Sequence, residues 1–309
     1  MTRRPSMPPL SVDGCAALEQ YARVLQDEAD MQPATVRNYR SDLRQFAAWC
    51  EETWGEGHDA LVSFTPTQMT TPLLTRYRAY LQHTRHLRPA TVNRALVSIK
   101  RYCAWALAAG LLPRNPAAVV KLVGREAPAP RQLSDTEEEA LIAAVTAGGS
   151  LRDQTIITLM LHTGLRASEV CRLGRDTVTL GRRSGTVQVV GKRNKYREVP
   201  LNATARHAVR DYLATLPATA TCLFPSEKTG APLTERALGY VVQRCAAQAR
   251  VSGVSPHDLR HRFGYRMAEV VPLHRLAQIM GHESLDTTML YTQATTTDLQ
   301  REVEKIAWA

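Results

Sequence analysis

The stretch QPATVRNYRSDLRQFAAWC, residues 32–50, returns in altered form as RPATVNRALVSIKRYCAWA at residues 88–106. Both copies open on Pro-Ala-Thr-Val after one residue and carry Ala-Trp near their ends. Between these, Leu43, Phe46 and Ala47 in the first copy and Ile99, Tyr102 and Cys103 in the second stand at i, i+3 and i+4. That spacing lines one face of an α-helix with apolar side chains. Cations flank each stripe: Arg37, Arg40 and Arg44 in the first copy, Arg94, Lys100 and Arg101 in the second. Two readings of them stand, a solvated helix face or a pair of helices turned to a polyanion. Two such helices in one basic chain favour the second, and the six are candidate DNA contacts. Helical patterns near 13–29 and 66–85 complete a four- or five-helix unit ending around Lys121.

The composition agrees with packed, largely helical domains. The chain has 309 residues, enough for two domains, with 44% hydrophobic and only 6% aromatic residues. Thirty-nine Lys and Arg against 29 acidic residues give a formal charge of +10, which favours a polyanion, above all nucleic acid, over an acidic small molecule. Six scattered cysteines form no CxxC pair and no zinc spacing, so they are expected to be reduced packing residues. MTRRPSMPPL at the start has no apolar segment behind its arginines, and no stretch reaches the ~18 uninterrupted apolar residues of a membrane helix. A cytoplasmic protein that does not enter membranes is expected.

Beyond the repeat, VGREAPAPRQLS, residues 123–134, is rich in Pro and Ala and has no period, as an extended linker would. The expected layout is a helical domain at 11–122, a linker at 123–133 and a second domain at 134–309. Ser134 and Glu137 form a capping box for the next helix. GTVQVVGKRNKYREVPL, residues 185–201, reads as a β-hairpin with Gly191-Lys192-Arg193-Asn194-Lys195 at its tip. Helical patterns follow around 203–216, 234–250, 257–269, 272–280 and 296–307. The fold class is mainly α, with a mixed, mostly helical second domain holding a small sheet.

The second domain also carries, in order, HTGLRASEVCRL (162–173), the hairpin lysine, HDLRHRFG (257–264), GHES (281–284) and Tyr291, nine residues after His282. With these the chain resembles the tyrosine recombinases, the phage-integrase and Xer-like site-specific recombinases, over nearly its whole length. The resemblance implies a core-binding helical domain followed by a catalytic domain, and a catalytic set of Arg166, Lys192, His257, Arg260, His282 and Tyr291. Tyr291 is then the nucleophile.

The residue types suit that chemistry. Attack on a phosphodiester builds negative charge on its non-bridging oxygens, and planar, permanently charged guanidinium groups such as Arg166 and Arg260 can clamp them. A 3′-phosphotyrosyl bond conserves the energy of the broken bond, so no ATP, metal or other cofactor is called for. Lys192 is the candidate proton donor to the departing 5′ oxygen; His257 is read as managing the tyrosine proton and His282 as donating to the phosphate. Each residue has a plainer reading: Tyr291 as a packing residue, Arg166 as a charge at a helix C-terminus, and Glu169 as its surface ion-pair partner or as its support. Lys192 is preferred to Lys195 because it follows Gly191. Arg193 and Lys195 count as DNA contacts. His257 and His261 at i, i+4 are not read as a zinc pair, since residue 258 is Asp and Arg260 adds a cation; His261 and Arg262 are taken as local helix or DNA-backbone contacts.

Three functions fit: a recombinase acting on double-stranded DNA with inverted-repeat half-sites, a type IB topoisomerase-like enzyme, and a non-catalytic DNA-binding regulator. The complete set of six and the helical front domain favour the first. It implies a monomer in solution that assembles with other copies into a tetramer on two sites. The tail at 296–309, with Leu299, Val303 and Ile306 at helical spacing and Trp308 at its end, is then an exchange helix docking on a neighbour; folding back on its own domain is the alternative. About ten residues precede the first helical pattern, so no arm-binding domain is expected.

Overall fold

The computed structural model describes residues 9–27, 31, 33–55, 63–124, 131–191, 196–282 and 285–292. The chain forms two compact units, Met1–Ala127 and Pro128–Ala309. Lys192, Arg193, Lys195 and the tail helix at 296–309 lie outside the described residues.

The first unit is built on α1 (Val12–Asp27), α2 (Pro33–Gly55), α3 (Thr71–Ala79) and α4 (Pro89–Ala108). The two sequence copies are α2 and α4. Leu43, Phe46, Ala47, Ile99, Tyr102 and Cys103 all lie in one core, beside Trp49, Phe64 and Tyr77. Proline opens both helices, where its missing N–H has no partner to lose. Position 42 of one copy meets the equivalent position 98 of the other. Ser98 Oγ donates to the Asp42 carboxylate at 2.9 Å, and Arg94 pairs with its other oxygen at 2.9 Å. Burial pushes the Asp42 carboxyl up, against the pull of Ser98 and Arg94. The pattern at 66–85 is not one helix. A 3₁₀ turn at Pro66–Gln68 stops at Met69, Thr70 caps α3 by accepting from the Leu73 N–H, and a π-turn follows at Tyr80–Thr84.

The second unit surrounds α6 (Leu151–Thr163), which is buried on most sides and so carries no clean amphipathic stripe. Around it stand α5 (Asp135–Ala147), α7 (Ala167–Arg172), α8 (Ala203–Thr215), α9 (Glu235–Gln248), α10 (Pro256–Ala268), α11 (Leu273–Met280) and α12 (Leu285–Met289). Ser134 caps α5 with Glu137 as its spacing predicts. The sheet is antiparallel in the order β1 (Val178–Leu180), β2 (Gly185–Val190), β3 (Tyr196–Pro200). The hairpin is β2 and β3. The short β1 pairs Val178 with Val187; its signal, the β-branched alternation Thr177-Val178-Thr179-Leu180 between Asp176 and Gly181, was missed in the sequence. Val187 faces Val199 and Val189 faces Arg197, so the inward side of the sheet carries one cation among valines.

The ends of the 123–133 stretch are tied down. The backbone of Val123 exchanges two hydrogen bonds with the Asn93 side chain, and Leu133 is fully buried in the second unit. No helix among the described residues is long and apolar enough to cross a membrane.

Candidate active site

The site is organised by the end of α11. Gly281 stops the helix in the left-handed conformation, φ +65°, and the His282 N–H reaches back to the Ala277 carbonyl at 2.9 Å. This closure satisfies the earlier carbonyls and leaves the last three, at the negative end of the helix, open to outside donors. Three arginines take them in succession. Arg197 Nε donates to Ile279 at 3.4 Å, Arg260 to Met280 at 2.9 Å and Arg166 to Gly281 at 2.8 Å. A side chain at 281 would meet Arg197 Cζ at 2.7 Å as well as adopting a disfavoured φ.

Arg166 reaches this point from a second glycine turn. α6 ends on Gly164, φ +61°, where a Cβ would lie 2.3 Å from the Phe263 ring. Arg166 stands at the N-cap of α7, and its charge lies at the C-terminus of α11 rather than at that of α6, the helix it follows in the sequence. Its N–H donates to Glu169 Oε2 at 2.8 Å and its guanidinium to Oε1 at 3.0 Å. Glu169 is buried, which corrects the surface ion-pair reading, and Arg197 grips both its oxygens at 2.8 and 3.0 Å. Burial alone would raise the Glu169 carboxyl; the bonds from Arg197 and Arg166 overcome this and hold it below the usual range. Arg197 is the residue that sequence reasoning missed. Its signal was the alternation of the hairpin, which puts position 197 on the same side as buried Val199.

Arg260 is 3% exposed and donates to the Gly164 carbonyl as well as to Met280. Burial, then the neighbouring Arg166, push its guanidinium down to about 10, leaving it charged at neutral pH. It sits on α10, which starts at Pro256 under a Ser255–Asp258 capping box. Asp258 is thus occupied in capping. Arg262, expected as a local helix or DNA-backbone contact, is buried and pairs with Glu138 at 2.6 Å and with Asp135 on α5.

His282 follows Gly281 directly. Its Nδ1 is 2.7 Å from the buried Thr288 hydroxyl, and its ring stacks on Tyr291 at 6.2 Å. Burial, then Arg260 and Arg166, push His282 down to about 4, so it is neutral. Tyr291 lies on a 3₁₀ turn, Leu290–Thr292, and is 7% exposed among Phe263, Leu276 and Met280. Gly264 makes room for it: a Cβ there would come within 2.5 Å of the Tyr291 ring. Burial raises the Tyr291 hydroxyl, while Arg260 and Arg166 pull it down. The partner of that hydroxyl is His261, whose Nδ1 is 3.0 Å away. This corrects the reading of His261 as a local helix or DNA-backbone contact. His257 is exposed at its outer edge and stands with its ring 4.2 Å from that of His261; the protein packed around the inner side of the ring, then Arg260, hold it below the ordinary histidine value.

The cations of the first unit are mostly engaged. Arg40 pairs with Glu19 at 2.9 Å, Arg44 donates to Cys15 Sγ at 3.8 Å and Arg101 lies over the Tyr39 ring at 5.9 Å. Lys100, half-buried, donates its ammonium to the Ala117 carbonyl at 2.7 Å and so closes the loop after α4. Arg37 is exposed on α2.

Known proteins match over both units. Residues 131–298 fit the Phage integrase family, and residues 18–110 fit the Phage integrase, N-terminal SAM-like domain. The chain belongs to the phage integrase family of tyrosine recombinases. It is 31% identical over 286 residues to the tyrosine recombinase XerC of Pelobacter propionicus, covering 91% of each protein. To XerD of Ralstonia nicotianae it is 32% identical over 299 residues, 93% of this chain and 92% of that one. Solved structures share the fold: XerH bound to its difH substrate, with TM-score 0.70, 19% identity and coverage of 93% and 83%. The Tn1549 transposon integrase with transposon right end DNA gives TM-score 0.73, 19% identity and coverage of 94% and 99%. The tyrosine recombinase is therefore a tyrosine-type site-specific recombinase, built on an N-terminal helical domain and a catalytic domain with a small three-stranded sheet.

Proposed function

We propose that this recombinase cuts and rejoins double-stranded DNA at inverted-repeat half-sites through a 3′-phosphotyrosyl bond to Tyr291. The observation that carries the reading is the convergence of Arg166 and Arg260 on adjacent carbonyls, Gly281 and Met280, beside His282 and on the path to Tyr291. Two guanidinium groups held side by side present paired N–H donors to the non-bridging oxygens of one phosphate. Their charge is fixed by the protein before DNA arrives, so it costs no reorganisation when the five-coordinate transition state forms.

Tyr291 attacks phosphorus, the bond to the 5′ oxygen breaks, and the phosphotyrosyl linkage keeps the bond energy for a second 5′-hydroxyl to reverse the step. The energy of rejoining is thereby already stored, without ATP, and the arginines supply the positive charge. Lys192 is the proposed donor to the leaving oxygen and His282 a hydrogen-bond donor to the phosphate; His257, expected to manage the tyrosine's proton, stands exposed with its ring against that of His261. The +10 charge, with Arg37, Arg40, Arg44, Arg94, Arg101, Arg193 and Lys195, supports phosphate contacts that make binding steeply salt-dependent. Copies come together as a tetramer on two sites, with the tail helix docked on a neighbour.

The test is trapping on a nicked suicide substrate. The native protein gives a covalent protein–DNA band that maps to Tyr291, and Tyr291→Phe binds the site without forming the band. A band from the Phe variant refutes the assignment. Relaxation of supercoiled plasmid lacking the site points instead to topoisomerase-like action.

A further inference from the structure

The hydroxyl that the mechanism activates is held by a side chain the mechanism has not used. We propose that His261 accepts the Tyr291 proton as the phenolic oxygen attacks phosphorus, an inference that rests on Tyr291 being the nucleophile. His261 Nδ1 lies 3.0 Å from Tyr291 Oη, and both residues are 7% exposed. With its proton on Nε2, the ring offers Nδ1 as an acceptor to the phenol, at hydrogen-bond reach of the proton to be removed. His257 has no such position: it is exposed, and its ring faces that of His261 at 4.2 Å.

The surroundings keep the acceptor free. His257, Asp258 and Arg260 face His261 along α10, Tyr291 faces it from its 3₁₀ turn, and His282 from the end of α11. Burial, then His257, push His261 down to about 4, with Arg260 adding to the effect and Asp258 opposing it. The ring is therefore neutral at working pH and its lone pair is not lost to solvent protons. A DNA phosphate bound by Arg260 brings negative charge that offsets this field, and the ring gains basicity when substrate is seated.

The step balances. The Tyr291 O–H bond breaks and its proton passes to His261 Nδ1, the Oη–P bond forms, the P–O5′ bond breaks, and the 5′ oxygen takes a proton from the acid assigned to Lys192. In rejoining, His261 returns the proton to the departing tyrosine. No electrons are transferred.

The experiment uses the full chain on a suicide substrate whose 5′-bridging oxygen is sulfur, a leaving group that needs no acid, so that only the nucleophile's proton limits cleavage. His261→Gln is expected to lose about 100-fold or more in cleavage rate, in the range for a missing general base, with DNA affinity within about threefold of native. Installing 3,5-difluorotyrosine at position 291, a phenol ionised much nearer neutral pH, should restore most of that rate. Cleavage by His261→Gln within threefold of native overturns the proposal, and so does a loss that the fluorinated phenol leaves untouched, which marks a positioning residue. Should His261→Gln not fold, the native chain carrying difluorotyrosine decides: fluorination must flatten the pH–rate profile, and an unchanged profile overturns the proposal. A native protein that forms no band at Tyr291 sinks the nucleophile reading itself, whereas a native band with a fully active His261→Gln sinks only this inference.

Discussion

Replacing Arg197 by Met keeps the length of the stem and removes the guanidinium that grips Glu169. The Glu169 side chain is 4% exposed and that of Arg197 17%, and two charge-assisted bonds of 2.8 and 3.0 Å join them. Bonds to charged groups contribute about 1.5–3 kcal/mol each, and stranding one partner of a buried pair costs about 3–5 kcal/mol. The carboxylate keeps Arg166, but the Arg166 side chain is 41% exposed and compensates weakly. We therefore expect a loss of about 3–5 kcal/mol in urea unfolding, or a fall in Tm of roughly 6–20 °C for a unit of this size. Glu169 also steers the Arg166 guanidinium, and displacement of such a group by about 1 Å is worth roughly 100-fold in rate. Covalent complex formation should fall by that order while half-site affinity changes only a few-fold. Adding Glu169→Gln removes the stranded charge, so the double variant should recover part of the stability. If the two substitutions add within about 0.5 kcal/mol, or Arg197→Met costs under about 1 kcal/mol, Arg197 does not hold Glu169 and the argument fails.

Gly264→Ala should destabilise the chain despite the better helix propensity of alanine, because its Cβ would sit 2.5 Å from the Tyr291 ring; cleavage should fall more than DNA binding, and a more stable, fully active variant would contradict the packing. Arg260→Ala should lower cleavage by at least about 100-fold on a suicide substrate, and a loss under tenfold would remove it from the phosphate clamp. Lys192→Ala should be rescued by a 5′-bridging sulfur; rescue of Lys195→Ala instead would move the acid along the hairpin. Stability should also follow pH. His261 and His282 are pushed down to about 4 in the folded chain, against about 6.5 unfolded, so the unfolded state binds more protons between these values. Tm should then fall as pH drops from 6.5 towards 4, less steeply in His261→Gln, and a Tm flat across that window would show the histidines to be solvated.

Local periodicity and residue type were enough to find the two long helices of the first unit, because 3.6-residue spacing needs no knowledge of the partner. Leu43, Phe46 and Ala47 had to share a side whatever covered it. The order of arginines, histidines and Tyr291 was legible as a resemblance to a known family, and the residue types suit a phosphate's charge. The pattern at 66–85 misled for the same reason: apolar spacing runs on through Met69 and Thr70, where the backbone turns away to cap a new helix. Only the tertiary structure could decide who touches whom. Arg197 meets Glu169 across 28 residues, His261 meets Tyr291 across 30, and Arg260 meets the Gly164 carbonyl across 96. A sequence shows that a cation, a carboxylate or an imidazole is present, but burial sets its charge and long-range packing sets its partner. So His261, read as a local helix or DNA-backbone contact, holds the tyrosine hydroxyl, and Lys100 clasps a loop that its sequence neighbours do not announce.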